Sequence, residues 1–235
     1  VSYLGALGYP KVRQVFDAFT QVADVHSIAP PGHTNALEFE DGKLMLSSNV
    51  QLNDVNWRNI EERFGRDQFA GRFQGSDLVA FVNWTMVPYM SDIWEVCLRE
   101  LLPPADAPRR WIFFDLADPQ KRADDDIKRA LQLIVRFNER FNVILGLNEK
   151  EAYEVSEAIG IPQREHSPEH LAQLALELNK RVPVDTIVVH PVAYALAASR
   201  GEVTTVKGPY IPKPKITTGA GDHFNSGFCL GKLLG

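Results

Sequence analysis

Between residues 77 and 190, apolar runs of strand length alternate with segments whose apolar side chains recur every three to four positions. That alternation restricts the chain to a mostly parallel sheet with helices on both faces, because parallel neighbours need crossover connections. Strands are expected over residues 77–83, 111–115, 142–147 and 185–190. Helices are expected over 91–102 and over 124–140, the latter with acids first and Arg last, and from Ser167-Pro168-Glu169 onward. Two stretches depart from the alternation. Residues 194–199 and 202–207 read as a hairpin around Arg200-Gly201, and residues 37–40 and 43–46 read as another around Asp41-Gly42. Upstream, Pro10 suits a helix start, and Val12, Val15, Phe16, Phe19 and Val22 predict a core-facing helix. A strand over 25–29 and a helix over 54–64 follow.

Composition narrows the class. The 235 residues are 45% hydrophobic and 23% charged, enough for a sizeable core in one large domain. A net charge of -5 argues against nucleic acid or an anionic membrane as the main partner, since both reward basic patches. Cys97 and Cys229 have no metal-ligand spacing, which favours a reducing compartment. No apolar run is long enough to span a bilayer, and the first residues lack a basic region leading into a cleavage site. The expected location is the cytoplasm.

The chemistry concentrates in Thr217-Thr218-Gly219-Ala220-Gly221-Asp222, which leads directly into an apolar helical stretch from Phe224. Small residues let a backbone approach a ligand closely. When such a turn opens a helix, its N–H groups and the positive end of the helix dipole face a bound oxyanion. A carboxylate inside that turn would repel a resting phosphate, so Asp222 reads as a proton acceptor for an attacking hydroxyl. The bland reading is a tight turn with an acid that complements the helix dipole.

The run Thr218-Gly219-Ala220-Gly221-Asp222-His223-Phe224-Asn225-Ser226-Gly227 resembles the C-terminal signature of the ribokinase-like (PfkB) carbohydrate kinases. The resemblance implies an α/β three-layer sandwich with a mostly parallel central sheet. It also implies a small β lid, for which residues 25–48 lie in the right place, within a single domain over 1–235 that is incomplete at both ends. For the site it implies an anion hole at Gly219, Ala220 and Gly221, with Asp222 as catalytic base and Thr218 on the nucleotide side.

Sheets of this kind bind ligands beyond the carboxyl ends of their strands, where Asn83, Trp84, Asp115, Asn148 and His190 stand. Asn148-Glu149-Lys150-Glu151 has the form of a capping box. It is also similar to the family's Asn-x-x-Glu motif, which implies support of Mg2+ and its waters by Asn148 and Glu151; one side chain can do both. Asp115 reads equally as a turn cap or a substrate contact. A Trp at a strand end is more often core, and a lone His there is more often structural, although His190 is carried as a nucleotide contact. Two departures from the family pattern stand out. Ile216 replaces an Asp, which makes a monovalent-cation requirement doubtful, and Val188-Val189-His190-Pro191-Val192 replaces a Thr-x-Gly nucleotide loop.

The expected activity is transfer of the γ-phosphoryl group of ATP, with Mg2+, to a hydroxyl of a sugar or sugar-like small molecule. The alternatives are a nucleoside kinase of the same fold and a non-catalytic sugar- or nucleotide-binding relative. A homodimer is the assembly considered.

Overall fold

A computed structural model describes residues 1–39, 42–162, 166–212 and 218–235. It divides into two compact units, one formed by Val1–Gln74 with Met86–Leu101 and the other by Gly75–Thr85 with Leu102–Gly235.

In the first unit, β1 (Ser2–Gly5) and β2 (Asp24–Ser27) pair in parallel, and β3 (His33–Phe39) and β4 (Gly42–Ser48) pair antiparallel. The second pair is the expected hairpin, although Asp41 in its turn lies outside the described residues. The helix expected from Pro10 does not form. Arg13 is extended, a 3-10 turn spans Gln14–Phe16, and α1 (Asp17–Thr20) is a single turn. Val15 and Val22 are 79% and 77% exposed. The apolar spacing was present, but no side chain caps either start, and a segment this short cannot offset the cost of helix nucleation. The expected helix over 54–64 shortens to α2 (Trp57–Arg63), because Asn56 caps it with its side chain accepting from the Asn59 N–H. An unanticipated α3 (Arg66–Gly75) follows, and α4 (Met90–Glu100) buries Ile93, Trp94, Cys97 and Leu98.

The second unit carries a six-stranded sheet in the order β10-β9-β8-β7-β6-β5. Its strands are β5 (Leu78–Phe81), β6 (Arg110–Asp115), β7 (Phe141–Asn148), β8 (Thr186–His190), β9 (Tyr194–Ser199) and β10 (Glu202–Lys207). β5 to β8 run parallel, whereas β9 runs antiparallel to β8 and turns through Arg200 and Gly201, both at positive φ, into β10, which pairs antiparallel with β9. The helices are α5 (Asp124–Arg136), α6 (Glu149–Ala158), α7 (Pro168–Arg181) and α8 (Ala220–Leu234). Ser167 caps α7, accepting from the His170 N–H.

Alternation along the strands sends Phe113, Ile144 and Val188 to one face, where Cys229, Phe224 and Phe228 of α8 pack against them. The intervening Phe114 meets Phe137, just beyond α5, on the other face. Each such fully buried side chain stabilises the fold by roughly 1.5–3 kcal/mol. Parallel register brings the carboxyl ends of β6, β7 and β8 to one edge, with Asp115 opposite Gly146 and Asn148 opposite His190. No described helix is long and apolar enough to cross a membrane.

Candidate active site

The start of α8 is built to stay open. Gly219 is its N-cap at φ 86°, a left-handed conformation that favours glycine, and having no side chain it gives the helix no cap of its own. Ala220, Gly221 and Asp222 therefore form a first turn that no side chain among the described residues closes, next to the exposed Thr218. Asp222 is exposed, and among the described residues no hydrogen bond or ion pair engages its carboxylate. His223 instead turns back, its Nδ1 lying 2.8 Å from the Gly219 carbonyl oxygen. Ile216 and Thr217 lie outside the described residues, so the departure at Ile216 has no structural counterpart here.

The end of β7 is built the opposite way. The Asn148 side chain accepts from the Glu151 N–H at 2.9 Å, and Glu151 Oε2 accepts from the Asn148 N–H at 2.8 Å, completing a capping box. The second oxygen, Glu151 Oε1, accepts from the Asp118 N–H at 3.0 Å. This contact pins a loop in which Ala117 and Asp118 are both at positive φ. Burial raises the Glu151 pKa, while the two backbone donors oppose the shift. Asp118 itself pairs with Lys121 and, more distantly, with Lys150, and its pKa is lowered.

Asp115 stands at the end of β6 between these two starts. Its pKa is pushed up to about 6, first by burial and then by the Glu151 carboxylate, with a smaller push from Asp222. The Ala117 N–H and the Asn225 side chain oppose the shift. Asn225, on α8, donates from Nδ2 to Asp115 Oδ2 at 2.9 Å. Sequence reading passed over Asn225. The signal available was its spacing three residues after Asp222, on the same side of the helix.

His190 closes the rim at the end of β8. Its ring packs on Phe224 with centroids 4.8 Å apart, and a Cβ at Gly221 would lie 3.3 Å from its Cε1. Burial lowers its pKa, with Asp222 acting in the other direction. The rim thus brings together Asp115, Asn148, Glu151, His190 and Asp222. Asn83 and Trp84 are a different matter. Trp84 is 1% exposed, with the Arg122 guanidinium 4.8 Å from its ring centroid, so it is a core residue. Arg122 donates to the carbonyls of Trp84 and Thr85, each at 3.1 Å, which makes it a clamp on that turn.

Two surface cavities of about 480 and 460 Å3 lie in this unit, but they are lined by residues such as Tyr153 and His170, or Gln132 and Arg181, and by no rim residue. The rim's acidic surroundings, with Glu151 and Asp222 both pressing on Asp115, suit a divalent cation that arrives with its own waters. Among the described residues no group of three or more His, Cys, Asp or Glu side chains is placed to hold a metal directly. Both Glu151 oxygens are taken by backbone amides, which fits outer-sphere support rather than a protein-held ion.

Residues 1–235 match the family model described as prokaryotic ketohexokinase. A ketohexokinase from Haloferax volcanii is 28% identical over 231 residues, covering 98% of this chain and 60% of that protein. The chain thus spans about 60% of the length of that curated relative. Among solved structures, ribokinase from Thermotoga maritima superposes with TM-score 0.69 at 16% identity, over 100% of this chain and 68% of its own. Anopheles gambiae adenosine kinase gives 0.70 at 16%, over 99% and 67%. Xylella fastidiosa fructokinase gives 0.67 at 13%, over 100% and 68%. At these identities the likeness establishes the ribokinase-like fold and leaves chemistry to the residues. The match of the family model, which runs over the whole chain, places it: the chain belongs to the prokaryotic ketohexokinase family.

Proposed function

We propose that this chain carries the phosphoryl-transfer site of an ATP-dependent kinase acting on a hydroxyl of a ketohexose or similar sugar. The observation that supports it most is a helix start with glycine at its N-cap and, in its first turn, a carboxylate that no described residue engages. The amides of Gly219, Ala220 and Gly221 supply donors and a positive dipole end for the charge that develops on the transferring group. Asp222 accepts the proton of the attacking hydroxyl. Asn148 and Glu151, held by each other, present a fixed acidic edge to the phosphate side, and His190 walls the turn from β8. Mg2+, when bound with ATP, neutralises polyphosphate charge. On this reading the acceptor is a small molecule and the reaction belongs in the cytoplasm.

The test is ADP release by the protein with ATP, Mg2+ and a panel of ketohexoses, aldopentoses and nucleosides. Turnover confined to ketohexoses supports the reading. Preference for a nucleoside would move it toward the adenosine kinases, which share the fold. Tight sugar binding without ADP release across the panel would make the chain a binding relative.

A further inference from the structure

Resting on the kinase reading above, we propose that Asn225 is a positioning residue, which ties the start of α8 to Asp115 and thereby fixes where Asp222 stands. Its Nδ2 donates to Asp115 Oδ2 at 2.9 Å across the gap between helix and strand end. Asn225 is 7% exposed, and its Oδ1 is buried without a hydrogen-bond partner among the described residues. An unpaired buried acceptor costs roughly 1–3 kcal/mol, so an apolar side chain would serve packing alone better.

The neighbouring strand makes room for this amide. A Cβ at Gly146, directly opposite Asp115, would lie 3.3 Å from Asn225 Oδ1 and 2.6 Å from Phe113 Cζ. The need for a tether follows from charge. Glu151 on α6 and Asp222 on α8 both press on Asp115, and repulsion of this kind drives the helix start away from the strand end. Asn225 is the side-chain donor among the described residues that opposes it, and a hydrogen bond to a carboxylate is among the stronger kinds. Because it sits three residues beyond Asp222 on the same helix, slack in this bond moves the base itself.

Asn225→Leu removes the donor while filling a similar volume. It should lower kcat by about 10- to 100-fold, the scale of a small misplacement of reacting groups. KM for the acceptor should stay within about twofold, because binding of the acceptor does not pass through this bond. Asp115→Ala should lower kcat as well, and the double variant should be no slower than Asp115→Ala alone, since the first residue acts through the second. Hydrogen exchange of the His223 amide, which bonds the Gly219 carbonyl, and of the amides that follow it on α8 should quicken in Asn225→Leu. If that variant does not fold, Asn225→Ala gives the same split. Unchanged kcat in an active protein overturns the proposal even if exchange quickens, for the role is then structural only; additive losses in the double variant overturn it too. A wild-type protein inactive on the whole panel defeats the kinase reading itself, and the inference with it.

Discussion

Two helices of the second unit begin at the same edge of the sheet with an acid in the first turn, yet their starts are finished in opposite ways. α6 is closed, because Asn148 and Glu151 cap each other and Glu151 spends its remaining oxygen on the Asp118 amide. α8 is open, with glycine at its N-cap and an exposed Asp222 that nothing described engages. A carboxylate with both oxygens bonded to backbone amides is held in place by the fold, so it can face a hydrated ion but cannot swing to meet a substrate hydroxyl. One left unengaged in a turn of small residues is available for a proton. The difference tells the two acids apart when their positions in the helix cannot.

The sharpest way to break that comparison is Asp222→Asn. If the open start is the catalytic one, kcat should fall by about 10²–10⁴-fold, the range for loss of a general base. Thermal stability should change little, because all that is lost in the fold is a first-turn dipole interaction of roughly 0.3–1 kcal/mol. Steady-state ADP release and a thermal melt on the same preparation measure both. Near-normal turnover would remove Asp222 as base.

Glu151→Ala should behave in the reverse order. It strips acceptors from the Asn148 and Asp118 amides in a buried setting, so the fold should lose about 2–4 kcal/mol by denaturant titration. If Glu151 also supports Mg2+, the Mg2+ concentration giving half-maximal rate should rise. A stable variant with a large kinetic defect would mean that the closed start is the more catalytic of the two.

Asp115 lies between the two starts and should report on both through pH. Its folded pKa of about 6 lies above its ordinary 3.8, so the folded state holds the proton more tightly. The stabilisation is fully present below about pH 4 and is lost as pH rises through 6, on the order of 2 kcal/mol. Denaturant melts between pH 4 and 7 should show that fall, and Asp115→Asn should flatten it. A slope that survives the substitution would assign the titration elsewhere.

Much of this was legible along the chain because the physics is local. The capping box is an i to i+3 contact, the β9–β10 hairpin is set by Arg200-Gly201, and the buried runs of β6, β7 and β8 announce themselves by apolarity. What was not legible is what folding brings together from afar. Asn225 meets Asp115 across 110 positions, and Glu151 meets the Asp118 amide across 33, so neither pairing has a signature in spacing. α3 escaped because its two glycines and sparse apolar residues weaken the helical pattern, with only Phe73 buried. The opposite failure came at residues 12–22, where periodicity was present but Val15 and Val22 stayed exposed.

The smallest effect tests why the open start carries glycine at position 221. Gly221 has no unusual φ, so its lack of a side chain is not demanded by the backbone, but a Cβ there would lie 3.3 Å from His190 Cε1. Gly221→Ala therefore combines a helix-propensity gain of up to about 1 kcal/mol with a contact that forces the imidazole to yield. The net change in stability should stay below about 1 kcal/mol, and adding His190→Ala should release the gain. If the ring alone dictates glycine, turnover lost in Gly221→Ala should return in the double variant beyond the level of His190→Ala. If turnover stays low, the added methyl obstructs the phosphoryl group itself, and the glycine serves the ligand rather than the histidine.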